Sequence, residues 1–398
     1  GPIQTQKNQT TDPLMESWLE AGRTAGYGAT DDYNAASQDG AARMQFNIGG
    51  GRRSNSAVAF LRPALKRSNL TLITGAQATR ILMDGKRATG IKYRQGDTTR
   101  TVKAAEVILA GGAYNSPQLL MLSGIGPAAH LSELEINVVQ DAAAVGGNLQ
   151  DHPAISLEYQ RTQTSEFMRN LRLDKLTINV ARAWLFNTGP ASQPVGFSTA
   201  FVKSREGLEI PDLQFFFRPY SRLARQWLPF VYPHAPDAVS ITACHLRPES
   251  RGEVRLRSTD PMAPVGFVNN FLSTEADREA MRQAFKISRD LVGQPSFDAI
   301  RGDETAPGSD VESDVDIDAF IRETAMTVFH PIGTCRMGSD PASVVDPEMR
   351  VRGIEGLRVV DASVMPDLVG GNINACVMMI AEKASDIIRG KTPLPVEG

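Results

Sequence analysis

At 398 residues the chain is too long for one ordinary domain and suggests two or three. Its 42 basic and 45 acidic residues give a net charge of −3, and with 22 % charged and 41 % hydrophobic residues the composition is globular, which speaks against disorder and against a basic nucleic-acid-binding arm. No stretch approaches the roughly 18 consecutive apolar residues of a membrane-spanning helix, and a peripheral membrane contact stays open.

The chain opens Gly1-Pro2-Ile3, with no initiator methionine and no apolar targeting run, and reads as starting mid-protein. Residues 1–55 are polar and glycine-rich apart from a helix over 12–25, where Leu14, Trp18 and Leu19 recur at helical spacing. Residues 49–53 read as a loop, and 56–66 as a helix capped by Ser56 and interrupted at Pro63. From residue 70 the period changes. Strands are expected over 70–74, 78–83, 88–93 and 101–103, with a turn at Asp84-Gly85.

A buried apolar strand over 106–110 then runs into Gly111-Gly112, and a helix over 116–122 starts at Ser116-Pro117, a good cap and first-turn pair. Strand, paired glycines and helix form a layout in which backbone approaches a ligand closely.

Residues 153–330 mix strand-like runs (213–217, 238–246, 252–256) with helical ones (171–185, 274–292), the pattern of an α+β domain with an antiparallel sheet. Aromatics cluster at Phe215, Phe216, Phe217, Tyr220, Trp227, Phe230 and Tyr232, as core or as the wall of a substrate pocket. The tail returns to α/β character. A strand over 357–361 ends in Asp361, and a helix over 374–388 has Val377, Ile380, Ala381, Ala384, Ile387 and Ile388 on its apolar face.

Cys244, Cys335 and Cys376 make no C-x-x-C pair and no disulfide framework, which fits a reducing, cytoplasmic setting. The five histidines (130, 152, 234, 245, 330) show no i, i+2 or i, i+4 pair, which speaks against a His-rich metal site. His330 precedes Pro331 and is held extended, out of any helix interior. Alone it reads as structural more readily than catalytic. Gly370, Gly371, Asn372 and Asn374 precede the last helix, either as simple caps or as a helix dipole aimed at a ligand that becomes negative during reaction. Asp151 and His152 are adjacent and favour a structural role. Cys335 has no oxyanion or orienting signal to make it a nucleophile, and no G-x-S-x-G supports a hydrolase.

Five segments together resemble the GMC (glucose–methanol–choline) flavin oxidoreductases: GAYNSPQLLMLSGIG at 112–126, VGGNLQDH at 145–152, HPIGTCRMG at 330–338, GLRVVDAS at 356–363 and NINA at 372–375. Order and spacing match from residue 1 to about 389, and the Asn-x-Asn-Ala form is most similar to the choline-dehydrogenase-like alcohol dehydrogenase branch. The family's opening G-x-G-x-x-G unit has no counterpart, since Gly124-Ile-Gly126 is followed by Pro127 and lacks the third glycine. The chain thus reads as a C-terminal fragment lacking about the first quarter.

The resemblance implies an α/β FAD-binding part, Rossmann-like and incomplete, plus an α+β substrate domain. Residues 1–152 are then the remainder of the FAD-binding domain with a substrate-domain insertion near its start, 153–330 the substrate-binding domain, and 331–398 the return to the FAD-binding domain. It implies FAD as cofactor, a small-molecule alcohol as substrate and oxygen or a quinone-type electron acceptor, and it leaves a homo-oligomer open.

His330 is the implied base for the hydroxyl proton, with Asn374 as the amide that orients the alcohol while the flavin takes the hydride. Ala78 and Ala110 fall at positions near the adenine, Asp361 and Ala362 at the ribityl-pyrophosphate region, and Asn372, Asn374 and Ala375 at the helix start facing the flavin. The alternatives are a hydroxynitrile-lyase-like non-redox enzyme of the same fold, or a non-catalytic fragment.

Overall fold

A computed structural model describes residues 1–193, 196 and 198–392. The chain forms two units interleaved in sequence. One comprises Gly1–Thr71, Pro153–Leu246 and Glu275–Met326; the other comprises Leu72–His152, Arg247–Thr274 and Thr327–Gly398, of which 393–398 lie outside the described residues. This departs from a continuous 153–330 domain. Residues 247–274 join the second unit because their backbone is tied there: Gly252 N donates to Leu149 O at 2.8 Å, and Val254 N to Gly146 O at 2.7 Å. Among the described residues no helix is long and apolar enough to cross a membrane.

The first unit is built on the expected antiparallel sheet. Its strands run in the order Arg301–Ala306, Pro153–Arg161, Ala238–His245, Leu213–Arg218, Ser198–Val202, Gly40–Arg43. Phe215, Phe216, Phe217 and Tyr220 are buried in it, whereas Phe230 and Tyr232 are exposed, so only the first part of the aromatic cluster is core. The helix Pro13–Thr24 sits where its apolar spacing places it. Asp12 caps it, accepting from Leu14 N at 3.0 Å, and the same carboxylate takes two 3.1 Å bonds from buried Arg161. Trp18 on this helix is fully buried, stacks on Phe217 at 4.8 Å and donates its ring N–H to Thr199 O at 2.9 Å.

Three local expectations are corrected here. Ser56 is itself helical and caps nothing; Asn55 caps instead, its Oδ1 accepting from Val58 N at 3.0 Å. Residues 49–53 are a tight hairpin, with Ile48–Gly49 paired to Arg52–Arg53. Residues 70–74 form no strand, and Leu70, Leu72 and Ile73 are exposed: strand propensity without a partner ladder leaves extended chain, not a strand.

The second unit carries the three-stranded meander Ala76–Asp84, Arg87–Gln95, Thr98–Lys103, then the parallel pair Val107–Leu109 and Leu357–Val359. Val107 and Leu109 are buried but Ile108 is not, so the strand is buried on one face only. The helix after it is Gly112–Leu122, four residues earlier at its start than Ser116-Pro117 suggests. Gly112 at φ +78° makes the turn.

Pro117 therefore lies inside the helix and cannot donate to the carbonyl of Ala113. The buried Thr334 hydroxyl donates to that carbonyl instead, at 2.6 Å. The last helix is Asn374–Ile388, as expected, with Ile380 and Ala384 buried and Val377 and Ile387 packed on the same core; Ala381 and Ile388 are exposed.

Candidate active site

The residues implied as catalytic or cofactor-binding (His330, Asn372, Asn374, Ala375, Ala78, Ala110, Asp361 and Ala362) all fall in the second unit. Segments 150–152 and 328–332 lie antiparallel, with Ile332 N donating to Gln150 O at 2.9 Å and Gln150 N to Ile332 O at 3.2 Å. This pairing sets His152 against His330. Asp151 fixes both backbones, its Oδ1 accepting from His152 N at 2.8 Å and His330 N at 2.9 Å, while its Oδ2 takes the Thr327 hydroxyl. Thr327 Oγ1 in turn accepts from Phe329 N at 2.7 Å. Phe329 has φ +65°, a left-handed conformation uncommon for a bulky residue. The clamp around Asp151 holds that backbone and so aims His330. Burial pushes the Asp151 carboxyl up from its ordinary value.

The rings of His152 and His330 meet edge-on, with centroids 5.2 Å apart and 3.0 Å between their Nδ1 atoms. His152 Nε2 lies 3.2 Å from Val369 O, and His330 Nε2 lies 3.4 Å from the Asn372 amide nitrogen. Burial lowers the His330 pKa to about 4, so the ring is neutral at physiological pH and has a lone pair to accept a proton. Asn374 opens the last helix two residues after Asn372, with its side chain exposed, as is Ala375. The helix N-cap is Ile373, with no side-chain cap bond, so the first-turn N–H groups are uncapped.

The remaining expected contacts fall at a second place. Ala78, Ala110 and Gly111 line a cavity of about 290 Å³ at the end of the Val107–Leu109 strand. Asp361 does not face outward. Its Oδ2 accepts from Gly112 N (2.9 Å) and Ser116 Oγ (2.5 Å), and its Oδ1 from Ser363 N (2.8 Å) and Ser363 Oγ (2.5 Å). Ala362 is buried, and its carbonyl accepts from Gly333 N at 3.4 Å. Cys335 is fully buried and its pKa is raised by that burial and by the charge of Asp361, which leaves an inert thiol.

Two sequence profiles, both described as GMC oxidoreductase, match residues 1–154 and 248–381. The chain belongs to the GMC oxidoreductase family. It is 43 % identical to an oxygen-dependent choline dehydrogenase of Brucella ovis over 99 % of this chain and 71 % of that protein, and 41 % identical to one of Rhizobium etli with the same coverage. Among solved structures it is similar to pyridoxine 4-oxidase from Mesorbium loti (TM-score 0.85, 29 % identity, 99 % of this chain and 73 % of that one). It is also similar to a variant formate oxidase of Aspergillus oryzae (TM-score 0.88, 27 % identity, 98 % and 73 %).

GMC oxidoreductases use FAD, and the residues present fit it. The 290 Å³ cavity is lined in part by Ala76, Ala78, Ala110 and Gly111, small residues beside which a flat ring could approach backbone, together with larger side chains such as Gln77, Asn115, Gln118 and Leu119, at the carboxyl end of a parallel strand where α/β sheets bind nucleotides. The uncapped helix start at Asn374 has N–H groups and a partial positive charge that would suit a ring gaining negative charge.

Sequence reasoning singled out His330 and the asparagines and gave Asp151 and His152 a structural role, which fits the backbone clamp of Asp151; it did not single out Thr327 or Thr334. The one signal for Asp151, His152 and Thr334 was that VGGNLQDH and HPIGTCRMG are both family segments; Thr327 lies outside both. That the two segments pair is invisible in the sequence, because neither has strand periodicity.

Proposed function

We propose that the chain acts in the FAD-dependent oxidation of a small primary alcohol to its aldehyde, with His330 as the base. The observation that carries this reading is a neutral, mostly buried imidazole whose Nε2 faces an asparagine amide at 3.4 Å, two residues before an uncapped helix N-terminus. His330 accepts the hydroxyl proton at Nε2. Asn372 and Asn374 hold the alcohol oxygen through their amides and, being unable to titrate, leave proton transfer to His330 alone. The helix start of Asn374 and Ala375 stabilises developing negative charge on the acceptor. FAD, when bound, supplies the hydride acceptor for the carbinol carbon.

The relatives named for choline, pyridoxine and formate oxidation support a small-molecule substrate and oxygen as acceptor, and none of them supports the lyase alternative. The test is a panel of primary alcohols, choline and pyridoxine included, against the full-length protein with oxygen and, separately, a quinone-type acceptor. Aldehyde formation and anaerobic bleaching of the flavin by at least one alcohol are expected; bound flavin that no alcohol bleaches would end the proposal. Light scattering and vesicle sedimentation on the same preparation read out oligomerisation and peripheral membrane contact.

A further inference from the structure

The contact between His152 and His330 defines the position of a proton. Two imidazole nitrogens 3.0 Å apart share one hydrogen, so one donates and the other accepts. The direction follows from each end of the cluster separately. At the inner end, His152 Nε2 stands 3.2 Å from the carbonyl oxygen of Val369, which can only accept. Neutral His152 therefore carries its hydrogen on Nε2 and a lone pair on Nδ1. At the outer end, His330 Nε2 stands 3.4 Å from the amide nitrogen of Asn372, which can only donate. Neutral His330 therefore carries its lone pair on Nε2 and its hydrogen on Nδ1. Both ends give the same result: His330 Nδ1–H donates to His152 Nδ1.

We propose that His152 is a positioning residue that, by accepting the Nδ1 hydrogen of His330, holds that ring in the one neutral tautomer whose Nε2 lone pair is open to a hydroxyl proton. The role in turnover rests on reading His330 as the base; the tautomer itself does not. His152 is fully buried and its main-chain N–H is fixed, together with that of His330, by one oxygen of Asp151, so the two rings are anchored at a common point. When His330 takes the hydroxyl proton at Nε2 it keeps its Nδ1 hydrogen, and His152 remains a suitable acceptor. The ring changes charge without turning, and no second proton moves. A wrong tautomer at such a position removes the lone pair from the reacting side, a loss that can reach about 10⁴-fold in a hydrolase triad.

The test uses full-length, flavin-loaded protein labelled with ¹⁵N in its histidines. Two-bond ¹H–¹⁵N correlation spectra should show His330 Nδ1 as protonated and Nε2 as the bare nitrogen. His152→Phe keeps a flat ring without an acceptor. It should move His330 toward the opposite tautomer and lower kcat about 10- to 10³-fold, with KM for the alcohol changed less than about threefold. His152→Asn retains an acceptor near the Nδ1 position and should recover most of both the tautomer and kcat. A protonated His330 Nε2 in the unmodified protein, or an undiminished kcat in His152→Phe, overturns the proposal. If His152→Phe does not fold, the unmodified spectrum and His152→Asn decide it. Should the spectrum be as assigned while His330→Ala stays active, the base reading fails and the tautomer assignment stands.

Discussion

Two polar clusters in the same unit, one around Asp361 and one around His330, use similar groups to opposite ends. Both oxygens of Asp361 are filled by four donors of the chain itself, from Gly112, Ser116 and Ser363, and nothing is left over for a ligand. The His330 cluster is a row: Val369, His152, His330, Asn372, closed by a carbonyl at the inner end and finishing at an exposed amide. A saturated buried carboxylate holds architecture, here the glycine turn between strand and helix. A hydrogen-bonded row whose outermost contact is one long, exposed amide bond can exchange that partner for another donor at the same lone pair.

That contrast can be broken by substitution. The largest effect is expected from His330→Ala, which should lower kcat by about 10²–10⁴-fold while leaving the melting temperature nearly unchanged; an active variant removes the row from the chemistry. Asp361→Ala should do the reverse. It strands four donors, each worth about 1–3 kcal/mol when left unmet, so melting should fall by many degrees and flavin loading should fail with the fold. If Asp361→Ala instead folds normally and only loosens the flavin, the carboxylate is a ligand contact after all.

A pH profile sharpens the same comparison. Because burial holds His330 near 4, the acid limb of kcat/KM should lie near that value instead of near 6.5. The sign for stability follows: the unfolded chain takes up this proton near 6.5 and the folded chain only near 4, so the contribution is present above 6.5 and is lost as pH falls toward 4. A limb at 6.5 indicates a hydrated ring.

Smaller still, Asn372→Ala and Asn374→Ala should each cost about tenfold or less in kcat/KM. The larger loss is expected at Asn372, the amide in contact with His330. Thr334→Val should cost about 1 kcal/mol of stability, read as a melting shift of a few degrees, with turnover retained.

Much of the fold was legible because its signals are local. Apolar spacing placed the helices Pro13–Thr24 and Asn374–Ile388, and alternation placed the meander Ala76–Asp84 to Thr98–Lys103. The errors came where a distant partner decides. Residues 70–74 have strand composition and no partner to pair with. Ser116-Pro117 has the form of a helix start, yet Gly112 opens the helix because Asp361, far along the chain, receives its N–H. The site shows the same division. His330 and the asparagines sit in recognisable segments, but the ring of His152 acquires its role only when segments 178 residues apart come together.

The proline inside Gly112–Leu122 has a mechanical consequence. Its missing donor is replaced by a hydroxyl four positions beyond His330, so the two segments are joined at that carbonyl. In a Pro117→Ala background the restored amide competes for the same oxygen, and Thr334 should become dispensable. That hydrogen bond ties the helix Gly112–Leu122 and the histidine loop into one mechanical piece, in which a shift of either is felt by the other.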